Sequence, residues 1–253
     1  MIGELLVGMA ITFALLATRM AAFVAISPFP GPMVPTNIKV GFALLLAMAA
    51  MPLAGVSHLA IGPQLVVAGM GEAVTGAAVA FIFRIGMSAA EVLGSTLAHA
   101  TGLTFASSYD PTQAATTDAL TRIISNAAVL VAFAVGAHRI VIGAAMTSVR
   151  VVPVGGMIDL ATYMPGILSW MARTLECGVG LAVPAMTVSL VVQAALGLVA
   201  RAAPALQIFS IGLAVSLASG LVVILSGLRD SLAGIAAHLM NLGGILESIL
   251  TPS

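Results

Sequence analysis

The chain has 253 residues, of which nine are Lys or Arg and nine are Asp or Glu, so only 7% are charged and the formal net charge is zero. An ordinary soluble domain carries roughly 25% charged residues, whereas here 60% are hydrophobic and the mean hydropathy is +1.17. That composition excludes a conventional soluble domain and intrinsic disorder, and it points to a chain that lives in lipid or is wrapped by other protein.

Met1-Ile2-Gly3-Glu4 has no basic segment, and the run Leu5 to Ile26 meets Arg19 without a small-residue cleavage site. It reads as a retained first helix and not a cleaved signal. Pro28, Pro30, Pro32 and Pro35 then exclude a helix interior, because none of them has a backbone N–H. Asn37 is placed to N-cap the next apolar run, Ile38 to Val56. Gly62-Pro63 breaks the chain again. Gln64 to about Ala100 reads as one helix or two in series, about 55 Å if continuous against a hydrocarbon core of about 30 Å. Thr101 to Thr117 is the most polar internal segment, and Asp118 can cap a helix running to about Val152. Pro153-Val154-Gly155-Gly156 ends that helix, and a loop or interfacial piece reaches about Pro165. Ile167 to Ala202 is a second long run with Pro184 as a kink, and Ala203-Pro204 turns the chain. Leu206 to Leu228 is the sixth main run, followed by a more amphipathic helix from Arg229 to Leu250.

Arg19, Glu72, Arg84, Glu91, Arg139 and Glu176 lie inside the apolar runs, where a charge is costly in lipid and faces protein or water. One Trp and two Tyr cannot form an aromatic belt, and Lys/Arg do not concentrate in alternate loops. Glycines spaced seven apart (Gly220, Gly227, Gly234; Gly69, Gly76; Gly136, Gly143) let helices approach closely. Together these features favour packing against other protein chains over packing against lipid.

The chemical inventory is sparse. Eight Arg and one Lys spread along the chain form no stripe, so a nucleic-acid partner is excluded. There is no Walker motif, GxGxxG, CxxC, HExxH or GxSxG, and His58, His99, His138 and His238 lack metal-ligand spacing, so no cofactor is expected. Cys177, with no His or Lys beside it, reads as a buried, inert thiol. Ser219-Gly220 is a weak hint of an intramembrane protease, and a structural serine is the preferred reading. Glu72, Arg84 and Glu91 could relay protons in a secondary transporter. A structural charge network is preferred, since Glu91 follows Arg84 by seven residues on one face.

A longer pattern carries more. Arg19, Ser27-Pro28-Phe29, Pro35 and Lys39 precede the second run; Glu72 opens a glycine-bearing helix; Gly102-Leu103, Asp110-Pro111, Gly136-Ala137-His138, Ser148 and Pro153-Val154-Gly155 follow. Then come Ala182-Val183-Pro184, Leu196-Gly197-Leu198, Arg201 and the stretch Pro204, Leu206, Gln207, Phe209, Gly212. From about Leu5 to Leu228 this resembles the FliR family, called SctT in injectisomes: export-gate subunits of bacterial type III secretion. The resemblance implies a non-enzymatic, all-α, polytopic protein of long, kinked helices and helical hairpins. It implies one export-gate domain, with a FliP-like part over about 1–160 and a FliQ-like hairpin and C-terminal helix over about 161–253. It implies assembly with FliP-like and FliQ-like subunits and an FlhB-like subunit in the bacterial inner membrane, at the flagellar basal body. Unfolded export substrates would pass, and membrane lipid would be a neighbour.

The polar segment would correspond to the family's channel plug, with Phe105, Ser107, Ser108, Tyr109, Asp110, Pro111, Thr112 and Gln113 at its centre. Small polar side chains can face water and one another there, and Pro111 fixes the backbone. Structural or assembly roles fall to Pro28, Pro35, Lys39, Glu72, Arg84, His138, Pro153, Pro184, Pro204, Gln207, Phe209 and Gly212. The flagellar system is favoured over an injectisome.

Overall fold

The computed structural model describes residues 2–31, 34–56, 62–101, 119–156, 158–202 and 208–250. Among these residues there are eight α-helices, one 3-10 turn and no strand. The helices are α1 (Ile2–Ile26), α2 (Thr36–Ala50), α3 (Pro63–Thr101), α4 (Ala119–Ala134), α5 (Ala137–Val151), α6 (Leu160–Ala202), α7 (Ile208–Met240) and α8 (Leu242–Leu250). The all-α, polytopic expectation holds. Five helices are long and apolar enough to cross a membrane, or up to six if α4 and α5, bent by 70°, make one span.

Several boundaries differ from the sequence reading. Thr36, not Ile38, begins α2; Pro35 takes the N-cap position and no side chain caps it, so Asn37 lies inside the first turn. Pro supplies a helix-compatible start without needing a donor there. The same helix stops at Ala50 and tightens into a 3-10 turn, Met51–Leu53, at Pro52. The run from Gln64 is one helix of 39 residues, about 59 Å long. The expected single helix after Asp118 is two, because Gly136 adopts φ +74° and no right-handed helix continues through a left-handed residue. Helix α6 starts at Leu160, so the expected loop to Pro165 is already helical, and the helix runs unbroken past Pro184. No break occurs at Arg229: α7 continues to Met240 and α8 follows after Asn241.

The chain forms two compact units. The first comprises Met1–Gly86, Gly136–Met171 and Met240–Ser253. Its core is built from α1 (Leu15, Leu16, Met20, Phe23, Val24), α2 (Ala43, Leu46, Ala47, Ala50) and the first half of α3 (Val79, Ala80, Ile82, Phe83). Trp170 is buried against α3 and its Nε1–H donates to the Ile82 carbonyl at 3.0 Å, giving the indole its required acceptor. Phe29 stacks on Phe83 with ring centroids 5.2 Å apart and meets the edge of His138 at 6.2 Å, which anchors the Ser27–Gly31 bend.

The second unit comprises Met87–Val135 and Ala172–Leu239. Within it α6 and α7 run antiparallel: Thr174 Oγ1 and His238 Nε2 are 3.1 Å apart, and Gly234 lies on Leu181. At the other end Gly212 lies on Leu196. The second half of α3 runs parallel to α6, with Gly178 pressed on Ala89 and Val92 and Gln193 Nε2 reaching the Ala100 carbonyl at 3.5 Å.

Only 17% of the most apolar stretches of α6 and α7 is buried, against 44% for α1 and α3, so α6 and α7 offer the most uncovered apolar surface. Two of the glycines separate a backbone role from a mere absence of side chain. Gly136→Ala is expected to lower stability by about 1 kcal/mol, the cost of a left-handed alanine. Gly143→Ala, where an added Cβ meets nothing within 4 Å, is expected to be neutral or to stabilise by up to about 1 kcal/mol through helix propensity. Thermal unfolding of the two variants in detergent reads the contrast.

Candidate functional site

The most tightly specified polar cluster lies inside the first unit. Arg19, on α1, is 1% exposed and Glu72, on α3, is 0% exposed. Each is surrounded by apolar helix, so each charge must find its partners within the protein. Arg19 Nε donates to Glu72 Oε2 at 2.5 Å. Arg19 Nη1 donates to Ser148 Oγ at 3.4 Å, and Nη2 to the Val152 carbonyl at 2.9 Å. The other carboxylate oxygen, Glu72 Oε1, accepts the Gly155 N–H at 2.8 Å. Ser148 in turn donates to the Ala145 carbonyl at 2.7 Å.

The arrangement uses the planar fork of arginine rather than a point charge. One nitrogen serves the carboxylate, one the α5 hydroxyl and one the carbonyl of Val152, the C-cap residue of α5, which no helical N–H can reach. The carboxylate holds the turn after α5, where Gly155 has φ +85° and Gly156 N–H donates to the Pro153 carbonyl at 2.9 Å. Four segments thus meet at one ion pair: α1, α3, α5 and the turn 153–156. Gly76 makes the meeting possible. It sits one turn after Glu72, and a Cβ there would run into the Arg19 carbonyl oxygen and carbon.

The structure separates the expected site residues into groups. Glu72 belongs to the cluster; Arg84 does not, being exposed, as is Glu91. The proposed Glu72–Arg84–Glu91 network is therefore replaced by Glu72–Arg19. Pro153 opens the turn that the cluster holds, and Pro35 starts α2. Lys39 is half-buried in the first turn of α2, and Pro28 lies in the bend where Phe29 N–H donates to Ser27 Oγ at 3.2 Å. His138 is half-buried against Phe29. In the second unit Pro184 is exposed on α6, and a Cβ added at Gly212 would meet Leu196 Cδ1 at 3.6 Å, an ordinary contact distance. Phe209 is the second residue of α7. Pro204, Gln207 and the whole plug segment from Phe105 to Gln113 lie outside the described residues.

Other expectations resolve simply. Ser219 Oγ donates to the Ser216 carbonyl at 3.0 Å, as a structural serine does. Cys177 is half-buried rather than buried. Of the seven-spaced glycines, Gly76, Gly220 and Gly234 are in close contact within the chain, while an added Cβ at Gly69, Gly143 or Gly227 meets nothing within 4 Å. The sequence reading missed the roles of Ser148, Val152 and Gly155. A backbone carbonyl and N–H carry no residue-type signal, so only Arg19 and Glu72, as charges in apolar runs, could have drawn attention.

Buried charges tied to an interhelical turn, with long apolar helices around them, define a polytopic membrane protein held by internal polar pairing. Comparison with known sequences narrows the class. Residues 10–242 match the family described as bacterial export proteins, family 1, and the chain belongs to that family. The flagellar biosynthetic protein FliR of Caulobacter vibrioides is 30% identical over 230 residues, covering 88% of this chain and 89% of that protein. FliR of Escherichia coli is 26% identical over 209 residues, covering 82% and 80%, and FliR of Aquifex aeolicus is 23% identical over 242 residues, covering 94% and 93%.

Removing one partner of the cluster strands the other charge. Arg19→Leu or Glu72→Leu alone is expected to cost about 3–5 kcal/mol, and the paired change Arg19→Met with Glu72→Met less than either. Reversing the pair, Arg19→Glu with Glu72→Arg, is expected to give no rescue. The Val152 carbonyl would then face a carboxylate and the Gly155 N–H a guanidinium. Thermal unfolding of the variants reads the order, and a reversed pair as stable as the original would refute the directional account.

Proposed function

We propose that this chain is an export-gate component of the bacterial flagellar type III secretion system. It assembles with FliP-like and FliQ-like subunits, next to an FlhB-like subunit, in the inner membrane at the flagellar basal body. The observation that carries the reading is the match along 10–242 to an export family, together with flagellar biosynthetic relatives aligned over most of their own lengths. The uncovered apolar faces of α6 and α7 fit a subunit that completes its surface with neighbours as well as lipid. The relatives' flagellar names favour this system over an injectisome.

In this reading the gate passes unfolded flagellar proteins, and the segment around Asp110 plugs the closed channel. Small polar side chains seal a pore through weak, exchangeable hydrogen bonds and yield at low cost when it opens. The Arg19–Glu72 cluster acts as a fixed joint and not as a gate, because it is buried, each guanidinium nitrogen has an acceptor and each carboxylate oxygen a donor. A proton relay through Glu72, Arg84 and Glu91 is disfavoured, since Glu72 is held by Arg19 while Arg84 and Glu91 are exposed. The chain is read as a non-enzymatic component.

Two measurements test the proposal. Tagged chain expressed from its own locus is expected to co-purify with FliP-like and FliQ-like subunits, whereas isolation as a stable homo-oligomer without them would sink the assembly. Deleting residues 107–113 is expected to leave that assembly intact and raise ion leakage across the inner membrane. An assembled, non-leaky deletion would remove the plug role.

A further inference from the structure

A cavity of about 370 Å³ lies inside the second unit, between α3, α4, α6 and α7. It has room for about a dozen waters at the volume each takes in the liquid. Its inner walls are apolar, with Leu93, Leu97 and Ile124 facing Leu181, Val223 and Ile224. The void coincides with missing atoms. Gly180 and Gly227 both line it, and a Cβ added at either would meet nothing within 4 Å. Pro184 lines it as well, and because proline has no N–H, the Gly180 carbonyl is left without its helical donor.

The polar groups sit at one end. Asp230 and Ser231 line the cavity there, along with Ser226, whose hydroxyl is already donated to the Val223 carbonyl at 2.9 Å. The lining contains a carboxylate and hydroxyls, and no Lys, Arg or His. It therefore favours a cationic donor. Its level is also informative. Residues 208–228 of α7 carry no charge and are about 32 Å long, close to the hydrocarbon thickness. Arg229 and Asp230, both exposed, follow at once, and we take them to mark the headgroup level.

We propose that this cavity is a lipid site: it takes the upper part of an acyl chain from a phospholipid whose headgroup carries a primary ammonium. The ammonium meets Asp230 and Ser231, the adjacent Arg229 is placed for the phosphate, and the chain lies against the leucine wall. A headgroup without N–H donors, such as phosphocholine, cannot satisfy the acceptors. One without a cation, such as phosphoglycerol, meets Asp230 with the wrong charge. The inference uses the second unit alone and does not depend on the export reading.

The test is native mass spectrometry of the full-length protein, with whatever subunits accompany it. Phosphatidylethanolamine, phosphatidylcholine and phosphatidylglycerol of identical acyl chains are offered in equal amounts. The ethanolamine lipid is expected to be retained about tenfold over each of the others, the selectivity one charge-assisted hydrogen bond supplies. Asp230→Asn, a surface change that leaves packing alone, is expected to erase that preference while lipid is still retained. Gly227→Phe, which fills the void, is expected to remove the retained lipid, with circular dichroism checking the helix content. Equal retention of the three lipids by the unmodified protein overturns the proposal. So does a folded Gly227→Phe that keeps its lipid, or a Gly227→Cys variant that cross-links a partner subunit in place of lipid. Should Gly227→Phe not fold, the preference and its loss in Asp230→Asn decide alone.

Discussion

A guanidinium and a carboxylate withdrawn from water persist in an apolar interior only when nearly every donor and acceptor around them is matched. The Arg19–Glu72 pair meets that requirement by recruiting backbone as well as side chain: the Val152 carbonyl, the Gly155 N–H and the Ser148 hydroxyl. Much of the first unit follows from this demand. Helix α1 must approach α3 closely enough for the charges to touch, which Gly76 permits. The end of α5 and the turn after it must come to the same point, because their free backbone groups complete the cluster.

The second unit is held differently. It has no buried ion pair among its described residues, and its helices are brought together by small residues at crossing points. Gly94 on Thr121, Gly178 on Ala89, Gly220 on Thr101 and Gly234 on Leu181 each replace a side chain with a close approach. In lipid the gain from hydrophobic burial largely vanishes, so contact area and packing at short distance become the main attraction between helices. A polar pair there, Thr174 with His238, adds direction between α6 and α7. Leaving most of the apolar surface of α6 and α7 uncovered is consistent with neighbours of two kinds, lipid and protein.

The match between these two modes and a membership in a protein-export family is physically sensible. A protein-export component needs a part that holds its geometry and a part that offers surface. Directional, matched hydrogen bonds serve the first, because they fail all at once when misaligned. Apolar faces serve the second, because they accept a partner helix or an acyl chain with little angular demand.

Composition and the run of apolar stretches determined a chain that lives in lipid or against other protein, with breaks near 27–35, 62 and 153, and the family resemblance added the all-α, polytopic fold. Proline and glycine act locally, through a missing donor or a permitted φ, so their signals need no tertiary context. The export family showed through a longer pattern that also includes Arg19, Lys39, Glu72, Asp110 and His138. Other features were decided only by the fold. Gly136 splits a continuous apolar run because packing, not propensity, selects its left-handed conformation. Arg229, polar enough to suggest a boundary, is carried with Asp230 through an unbroken α7 because exposed charges cost a long helix little. The partner of Glu72 proved to be Arg19, 53 residues away, and not Arg84 or Glu91 on the same helix. Sequence can show that a buried charge needs a partner, but which group reaches it depends on where backbone carbonyls and N–H groups converge, and these are identical in every residue.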